Sequence, residues 1–250
     1  MAQRFKAIAF DLDGTLIDTE PFYRQLMAVV LKQEFDYLLA NEEYDQYYFG
    51  RTTQQGFTDI VSKLWGRPAT TDEIEQIIVK VREQAVKLRE YIGAEIFPGA
   101  VELLKWCRER YIPTAIVTNA SRRTVEGNRW WYRWDELIAL ADHFVSYSDV
   151  GKSKPAPDVY FRAAELLGVH PAEMLVVEDT VHGIEAGRAA GAVTAAVNGL
   201  AGGGADYYFA TLKELTFHLP EFFPQKKWSS DHFISYNIAH FCAVVDIVKN

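Results

Sequence analysis

The chain contains very little cysteine. Cys107 and Cys242 are the only two cysteines among its 250 residues. Two thiols cannot build a multi-disulfide framework or a cysteine-based metal site. The composition therefore excludes the small disulfide-rich proteins, and a reduced, cytoplasmic setting is the expectation.

Long apolar runs and clusters of positive charge are also missing. No apolar stretch approaches the about 18 residues of a membrane helix, and the residues before Ala7 lack the pattern of a signal peptide. The formal net charge is −8 and no basic stripe is visible, so the electrostatic footprint of a nucleic-acid binder is absent. We therefore expect neither a membrane nor a nucleic-acid partner. With 49% hydrophobic residues, the chain can bury the core of one large or two smaller domains.

Two acidic residues follow the first apolar run of the chain. Residues 7–10 have the continuous apolar character of a buried strand, and Asp11, Asp13 and the chain-breaking Gly14 come directly after it. Two buried carboxylates repel each other unless a cation or a proton intervenes. The pattern therefore predicts a site for a divalent cation with oxygen ligands, such as Mg²⁺.

Three later segments, 113–121, 151–160 and 174–179, also present polar side chains in strand ends or turns. In chain order they carry Thr118 and Asn119, then Lys154 in a Lys-Pro-x-Pro-Asp frame, then Glu178 and Asp179. Helical patterns over 100–110 and 159–168 alternate with the strands, and Gly168 is a typical C-terminal stop. Alternating strands and helices indicate a parallel sheet covered on both faces. Because ligands of such sheets bind beyond the carboxyl ends of the strands, the polar groups should converge at one edge.

Together the four segments resemble the motifs of the haloacid dehalogenase-like superfamily, most of whose members are phosphatases. Asp11-Leu12-Asp13-Gly14-Thr15 is similar to the opening motif, and the other three follow in the expected order. The resemblance implies an α/β fold, in which a Rossmann-like parallel sheet core carries an inserted α-helical cap domain.

The resemblance also implies a role for each motif residue. Asp11 would be the nucleophile that forms an aspartyl-phosphate, and Asp13 would be the general acid and base. Thr118 and Lys154 would hold the transferring phosphoryl group. Asp11, Asp179 and the main-chain carbonyl of Asp13 would bind the metal ion. Glu178 would orient waters or Lys154, and Asn119 would bind the substrate.

Two further residues, Lys152 and His182, lie near motif residues in the sequence and are alternative candidates for the site. Lys152 lies two positions before Lys154 but is not followed by the Pro-x-Pro-Asp frame, so we expect its side chain to be solvated. His182 follows the fourth motif, at a position where the family has varied residues. We expect His182 in a loop or a helix cap rather than among the metal ligands.

The segment between the first motif and the second strand differs in its sequence pattern from the rest of the chain. Residues 19–96 are helical in pattern and correspond to the family's cap, so the expected division is a core of 1–18 and 97–225 with a cap of 19–96. Arg51 lies in a stretch that resembles the turn facing the active site. It is the candidate cap contact to the substrate, and a solvated surface arginine is the alternative reading.

Two regions fit the family pattern poorly. The aromatic stretch 129–134 follows the second motif, and we favour packing against the core edge over a role as a protein contact patch. The tail 226–250 extends past the usual end of the family and has apolar spacing that suits an amphipathic helix. Packing on the core, pairing with another subunit and dispensability all stay open for this tail.

The resemblance implies Mg²⁺-dependent hydrolysis of a small phosphorylated metabolite, a sugar or polyol phosphate, by a monomer or dimer. A phosphomutase of the β-phosphoglucomutase type is the first alternative. Such mutases typically place a histidine shortly after the first motif, whereas this chain has Tyr23 there and no histidine before His143. A non-catalytic binding protein on a hydrolase fold is an alternative of another class, and the complete set of motif residues argues against it.

Overall fold

The computed structural model describes residues 5–48, 51–200 and 202–223 of the chain. In chain order the strands are β1 (Ala7–Asp11), β2 (Ile17–Asp18), β3 (Glu95–Ile96), β4 (Thr114–Thr118), β5 (His143–Ser146), β6 (Met174–Glu178), β7 (Val193–Ala196) and β8 (Tyr207–Tyr208). Six of them form one parallel sheet in the order β5-β4-β1-β6-β7-β8. The other two, β2 and β3, pair as a short antiparallel ribbon. The predicted α/β fold with a parallel sheet is confirmed.

Helices that follow β3 in the chain cover both faces of this sheet. In chain order the helices are α1 (Glu20–Phe35), α2 (Asn41–Tyr47), α3 (Thr53–Trp65), α4 (Thr71–Arg89), α5 (Ala100–Glu109), α6 (Arg122–Gly127), α7 (Tyr147–Val150), α8 (Asp158–Leu167), α9 (Val181–Ala189) and α10 (Leu212–Phe222). Helix α8 ends at Gly168 in the left-handed conformation, as its stop signal predicts.

The central strands are buried along their whole length. The strands β1, β4 and β6 have five residues each, and all of these residues are buried. This burial explains why the strands have no polar face. Ala7 and Ala9 of β1 pack toward the side of α8, whereas Ile8 and Phe10 pack toward the side of α5 and α10. Because β4 and β6 lie on opposite sides of β1, the strand order reverses at β1. A crevice for ligands forms at such a reversal.

In the described residues between β2 and β3, the regular elements are all helices. This segment contains α1 to α4 and is called the insert below. Thr52 and Thr70 begin α3 and α4 as N-caps, and Gln55 and Glu73 complete a capping box with each. The chain enters and leaves the insert through the β2–β3 ribbon, in which Ile17 is the partner of Ile96.

The aromatic stretch 129–134 is not a helix, because α6 ends at Gly127 and turns follow. Trp131 and Tyr132 are buried, whereas Trp130 is 61% exposed. The Trp131 ring packs on Phe22 of α1 with a centroid distance of 4.8 Å, and Trp134 packs on Phe144 of β5 at 5.4 Å. The stretch therefore packs on both the insert and the sheet edge.

The described chain ends just after α10. Phe222 of this helix packs edge-on against Phe5, with a centroid distance of 5.6 Å. The expected C-terminal extension, 226–250, lies outside the described residues. Within the described ranges, every helix is too short or too polar to cross a lipid bilayer.

Helix α9 approaches the sheet through a glycine. A Cβ atom at Gly187 would lie 2.9 Å from Cγ2 of Thr194 and 3.0 Å from Cγ1 of Val176. Both distances are at or below the closest approach that carbon atoms tolerate. The missing side chain of Gly187 therefore allows α9 to pack closely on β6 and β7.

We predict that Gly187→Ala lowers the free energy of unfolding by about 1–3 kcal/mol, because the added methyl group overpacks this contact. Gly127→Ala is the matched control, since a Cβ atom there would meet nothing within 4 Å. The control should change stability by less than about 1 kcal/mol, in the stabilising direction. Urea denaturation measures both changes. Equal midpoints for the two variants would contradict the close packing of α9.

Candidate active site

Five of the predicted site residues meet at the carboxyl edge of the sheet. Asp11 ends β1, Thr118 ends β4 and Glu178 ends β6, with Asp179 immediately after it. Lys154 reaches the same place from the loop between α7 and α8. All five side chains are buried. The parallel register of β1, β4 and β6 is what brings them together.

Lys154 lies between two carboxylates. Its Nζ atom contacts Oδ1 of Asp11 and lies 2.6 Å from Oε1 of Glu178. Burial lowers the pKa of Lys154, but the charges of Asp11 and Glu178 outweigh burial and raise it overall, so the ammonium group stays protonated. Lys152, in contrast, is 68% exposed at its side chain and lies 3.4 Å from Asp158. The structure therefore brings Lys154, and not Lys152, to Asp11.

Both oxygens of Glu178 are occupied by hydrogen-bond donors. Oε1 accepts from Lys154 and from the hydroxyl group of Tyr160, each at 2.6 Å. Oε2 accepts from the backbone N–H groups of Asp179 and Thr180 at 3.2 and 3.4 Å, and from the Thr180 hydroxyl group at 3.2 Å. This saturation suits a residue that orients Lys154. Sequence reasoning missed Tyr160, although it stands two residues after the Pro-x-Pro-Asp frame.

The acidic cluster can hold a metal ion. Carboxylate oxygens of Asp11, Glu178 and Asp179 lie within 4.8 Å of one another. Burial, and then the charge of Glu178, raises the pKa of both Asp11 and Asp179. A hard divalent cation prefers this set of oxygen donors and relieves their repulsion. Because Glu178 is engaged by hydrogen bonds, Asp11 and Asp179 are the carboxylates available to the ion.

The loop after β1 is shaped around Asp179. The Thr15 hydroxyl group donates to Oδ1 of Asp179 at 2.9 Å. Gly14 has a φ of 88°, and a Cβ atom there would lie 2.1 Å from Oδ2 of Asp179. Asn198 fixes the loop by donating to the carbonyls of Gly14 and Thr15, both at 2.9 Å. Sequence reasoning missed Asn198, and its signal was a polar residue just beyond an apolar strand.

Asp13 has one engaged oxygen and one free oxygen. Thr118 donates to its Oδ2 atom at 2.8 Å, whereas its buried Oδ1 atom has no partner in the described part of the chain. Burial raises the pKa of Asp13, although the hydrogen bond from Thr118 and the charges of Lys154 and Arg89 oppose it. A carboxyl group with a raised pKa and a free oxygen is suited to proton transfer. The predicted phosphoryl contact of Thr118 stays a prediction.

Asn119 takes part in positioning Lys154. Its Oδ1 atom accepts a hydrogen bond from the backbone N–H of Lys154 at 3.0 Å, and its side chain borders the cavity beside the motif residues. The predicted contact between Asn119 and a substrate is untested by this arrangement.

A cavity of about 390 Å³ opens above the motif residues. The insert lines it with Glu20, Tyr23, Met27, Tyr44, Tyr48 and Arg51, among others. Arg51 borders the cavity and also pairs with Asp59 through Nη2 and Oδ2 at 2.6 Å. The core and the insert therefore form one site.

Two buried oxygens in the insert have no hydrogen-bond partner within the described ranges. They are Oε1 of Glu20 and the hydroxyl oxygen of Tyr48. The other oxygen of Glu20 accepts from the Tyr44 hydroxyl group at 2.8 Å. Sequence reasoning did not single out Glu20 or these two tyrosines as site residues, because their local signal is that of ordinary helix residues.

The expectation that His182 lies in a loop or a cap is wrong. It is the second residue of α9, whose N-cap is Thr180, and it borders the cavity.

We predict that Lys154→Met lowers the free energy of unfolding by about 3–5 kcal/mol at pH 8, because it leaves Asp11 and Glu178 buried without their cation. Burial already raises the pKa of Asp11 and Lys154 opposes this rise, so without the lysine the loss should shrink as the pH falls and Asp11 becomes protonated. Lys152→Met is the control and should cost less than about 1 kcal/mol, because its ion pair is exposed. Chemical denaturation at pH 5 and pH 8 measures these effects. A larger loss for the Lys152 variant would contradict the assignment.

Known proteins share this arrangement. The family described as haloacid dehalogenase-like hydrolase matches residues 5–191. Hexitol phosphatase A of Escherichia coli K12 is 32% identical over 197 residues, which cover 78% of this chain and 84% of that protein. The bifunctional riboflavin kinase/FMN phosphatase of Arabidopsis thaliana is 30% identical over 200 residues, which cover 77% of this chain and 48% of that protein.

Solved structures agree with the sequence matches. A HAD family hydrolase from Deinococcus radiodurans R1, solved with bound phosphate and sodium, superposes with a TM-score of 0.68 at 26% identity, covering 90% of this chain and 100% of that one. A Bacteroides vulgatus protein assigned as a β-phosphoglucomutase superposes with a TM-score of 0.70 at 27% identity, covering 88% and 89%. With its motif residues gathered at one edge of such a sheet and most of its length matched, the chain belongs to the haloacid dehalogenase-like hydrolase family.

Proposed function

We propose that this hydrolase is a Mg²⁺-dependent phosphatase that acts on a small phosphomonoester, a sugar or polyol phosphate. One observation carries the proposal. Asp11 and Asp13 line the same cavity at the sheet edge, with the ammonium of Lys154 against Asp11 and with Asp179 in one acidic cluster with Asp11. Such a site can bind a phosphate dianion and still present two carboxyl groups in different protonation states.

Asp11 is the nucleophile in this proposal. Its carboxylate attacks phosphorus in line, the bond to the leaving oxygen breaks, and an aspartyl-phosphate forms. Lys154, already in contact with Asp11, stabilises the negative charge of the phosphoryl oxygens. Thr118, at the end of the neighbouring strand, donates to the same group once its hydroxyl turns away from Asp13.

Asp13 moves the protons. Its free oxygen, Oδ1, gives a proton to the leaving oxygen and then takes one from the water that attacks the aspartyl-phosphate. That attack releases inorganic phosphate and restores the carboxylate of Asp11. The raised pKa of Asp13, which burial causes, keeps the proton available for the first step.

Mg²⁺ would be held by Asp11, the main-chain carbonyl of Asp13 and Asp179. Hard oxygen donors and the uncompensated charge of the acidic cluster fit this ion. When bound, the ion offsets the repulsion between the nucleophile and the phosphate. Glu178 stays outside this ligand set and holds Lys154 in place.

The insert would act as the cap that selects the leaving group. The unpartnered oxygens of Glu20 and Tyr48 call for hydroxyl groups on the bound molecule, and Arg51 borders the same cavity. A polyol or sugar phosphate supplies such hydroxyl groups, in keeping with the similarity to hexitol phosphatase A. In this proposal the core is 1–18 with 97–225, and the cap is 19–96.

A phosphomutase of the β-phosphoglucomutase type is the second candidate, favoured by the likeness to the Bacteroides vulgatus protein. The two activities differ in whether water or a sugar hydroxyl accepts the phosphoryl group from Asp11. Tyr23 borders the cavity at the place where the mutases typically have a histidine. We therefore place hydrolysis ahead of isomerisation.

The two activities separate in one assay. We predict that the enzyme with Mg²⁺ releases inorganic phosphate from a panel of sugar and polyol phosphates. It should form no glucose 6-phosphate from β-glucose 1-phosphate with a trace of the 1,6-bisphosphate. Asp11→Asn should lower turnover by about three orders of magnitude or more, because it removes the nucleophile. Rapid glucose 6-phosphate formation without phosphate release would establish the mutase instead.

Asp179 allows a test of the metal site without any substrate. We predict that Asp179→Asn abolishes the rise in melting temperature that Mg²⁺ causes. It should also raise the melting temperature of the metal-free protein by about 2–4 °C. Folding raises the pKa of Asp179, so its ionised form lowers the free energy of unfolding at a pH above the ordinary carboxyl range. The neutral amide of the asparagine variant has no such cost. Differential scanning calorimetry at pH 7.5 measures both effects.

The control for this experiment is Asp135→Asn, since the Asp135 side chain is 88% exposed. It should leave the metal-free melting temperature and the Mg²⁺ response unchanged. An undiminished Mg²⁺ response in the Asp179 variant would remove Asp179 from the metal site.

A further inference from the structure

The insert touches the core at a second place besides the β2–β3 ribbon. Trp131, from the core stretch 129–134, packs on Phe22 of α1 with a centroid distance of 4.8 Å. Its indole N–H donates to the carbonyl of Ile92, just beyond α4, at 2.9 Å. One buried tryptophan therefore contacts both the first and the last helical parts of the insert.

Arg89, the last residue of α4, lies at this contact. Its guanidinium carbon is 5.2 Å from the centre of the Phe22 ring and 5.1 Å from the centre of a Trp131 ring. Its Nη1 atom is 3.5 Å from Oδ1 of Asn128, and its buried Nε atom has no hydrogen-bond partner in the described part of the chain. Its partners therefore include the two aromatic faces, in the geometry of a cation–π contact, and the hydroxyl group of Tyr23, with which it shares a hydrogen bond.

This contact adjoins the catalytic cavity. Tyr23 follows Phe22 on α1 and borders the cavity together with Asp13. Burial, and then the charge of Asp13, raises the pKa of Tyr23 to about 12, and the charge of Arg89 opposes the rise. Arg89 therefore lies within electrostatic reach of both residues. Any shift of α1 at the Phe22 contact would move the cavity wall that Glu20, Tyr23 and Met27 form.

We propose that Arg89 is a positioning residue, a latch that keeps the α1 wall of the cavity seated against Trp131. The β2–β3 ribbon has only two residues in each strand, which is too little to fix the orientation of four helices. The ring contacts of Arg89 supply the missing constraint and set the fraction of molecules with a closed cavity. The kinetic consequence rests on the proposed function, whereas the structural consequence does not.

A loosened latch has a defined kinetic signature. Substrate binds to the closed form, so the KM rises in inverse proportion to the closed fraction. Once substrate is bound, the closed form carries the same catalytic groups, so kcat changes little. A general loss of folding would instead reduce the amount of active enzyme and leave the KM unchanged.

Arg89→Met tests the latch, because methionine keeps an unbranched apolar stem and removes the charge. Arg89→Lys keeps a cation for the rings, and Lys87→Met is the matched control on the exposed side of α4. The first readout is hydrogen–deuterium exchange of the native proteins without substrate. For Arg89→Met we expect roughly five- to thirty-fold faster exchange over 88–92 and 128–134, with β1 and β6 unchanged. Arg89→Lys should fall between this variant and the wild type, and Lys87→Met should match the wild type.

The second readout is hydrolysis of p-nitrophenyl phosphate with Mg²⁺. Arg89→Met should raise the KM several-fold with less than about a twofold change in kcat, and Arg89→Lys should restore much of the loss. Wild-type exchange rates in Arg89→Met, or an increase that includes β1 and β6, would overturn the latch. An unchanged KM in a variant with faster local exchange would overturn its role in substrate binding. If the wild type releases no phosphate, the proposed function fails, and the exchange measurement still decides the latch.

Discussion

The ammonium of Lys154, buried between Asp11 and Glu178, is the interaction on which the site depends. Three carboxylates share this edge of the sheet, and one lysine cannot neutralise them. The surplus negative charge is costly to bury, and a divalent cation is the kind of ion that these oxygen donors fit. In the proposed function this cation also makes room for a phosphate dianion, so that the stability and the activity of the site would have the same electrostatic origin.

The parallel sheet makes this crowding of charge feasible. Strands β1, β4 and β6 are neighbours, so their carboxyl ends present Asp11, Thr118 and Glu178 side by side. Glycines let the acids approach the backbone, since a Cβ atom at Gly183 would lie 1.9 Å from Cδ of Glu178. The donors come from neighbouring groups, since Glu178 accepts from Lys154, Tyr160 and Thr180, and Asp179 accepts from Thr15. The buried charges are thus held by hydrogen bonds that the fold supplies in advance.

The core and the insert contribute different kinds of groups to the site. In the proposed function the core holds the groups that handle phosphate, and hydrogen bonds fix Lys154 and Glu178 among them. The insert contributes Glu20 and Tyr48, each with an oxygen that has no partner in the described residues, which suits recognition of a hydroxylated leaving group. Trp131 and Phe22 join the two parts through aromatic packing near Asp13. This packing explains an aromatic stretch that has no part in the four motifs.

The sequence by itself determined the parallel α/β fold, the helical insert and the order of the motif residues. Apolar runs that end in Asp11, Thr118 or Glu178 are local patterns that the sequence shows directly. The strand ends of a parallel sheet then converge at one edge, whatever the conformation of the loops. Only the tertiary structure determined that Tyr160, Asn198 and Glu20 belong to the site. Asn198 reaches a loop 183 residues earlier, and Glu20 faces a cavity whose other wall belongs to the core. Helical periodicity shows which face of a helix is apolar, but it carries no information on which distant element that face will meet.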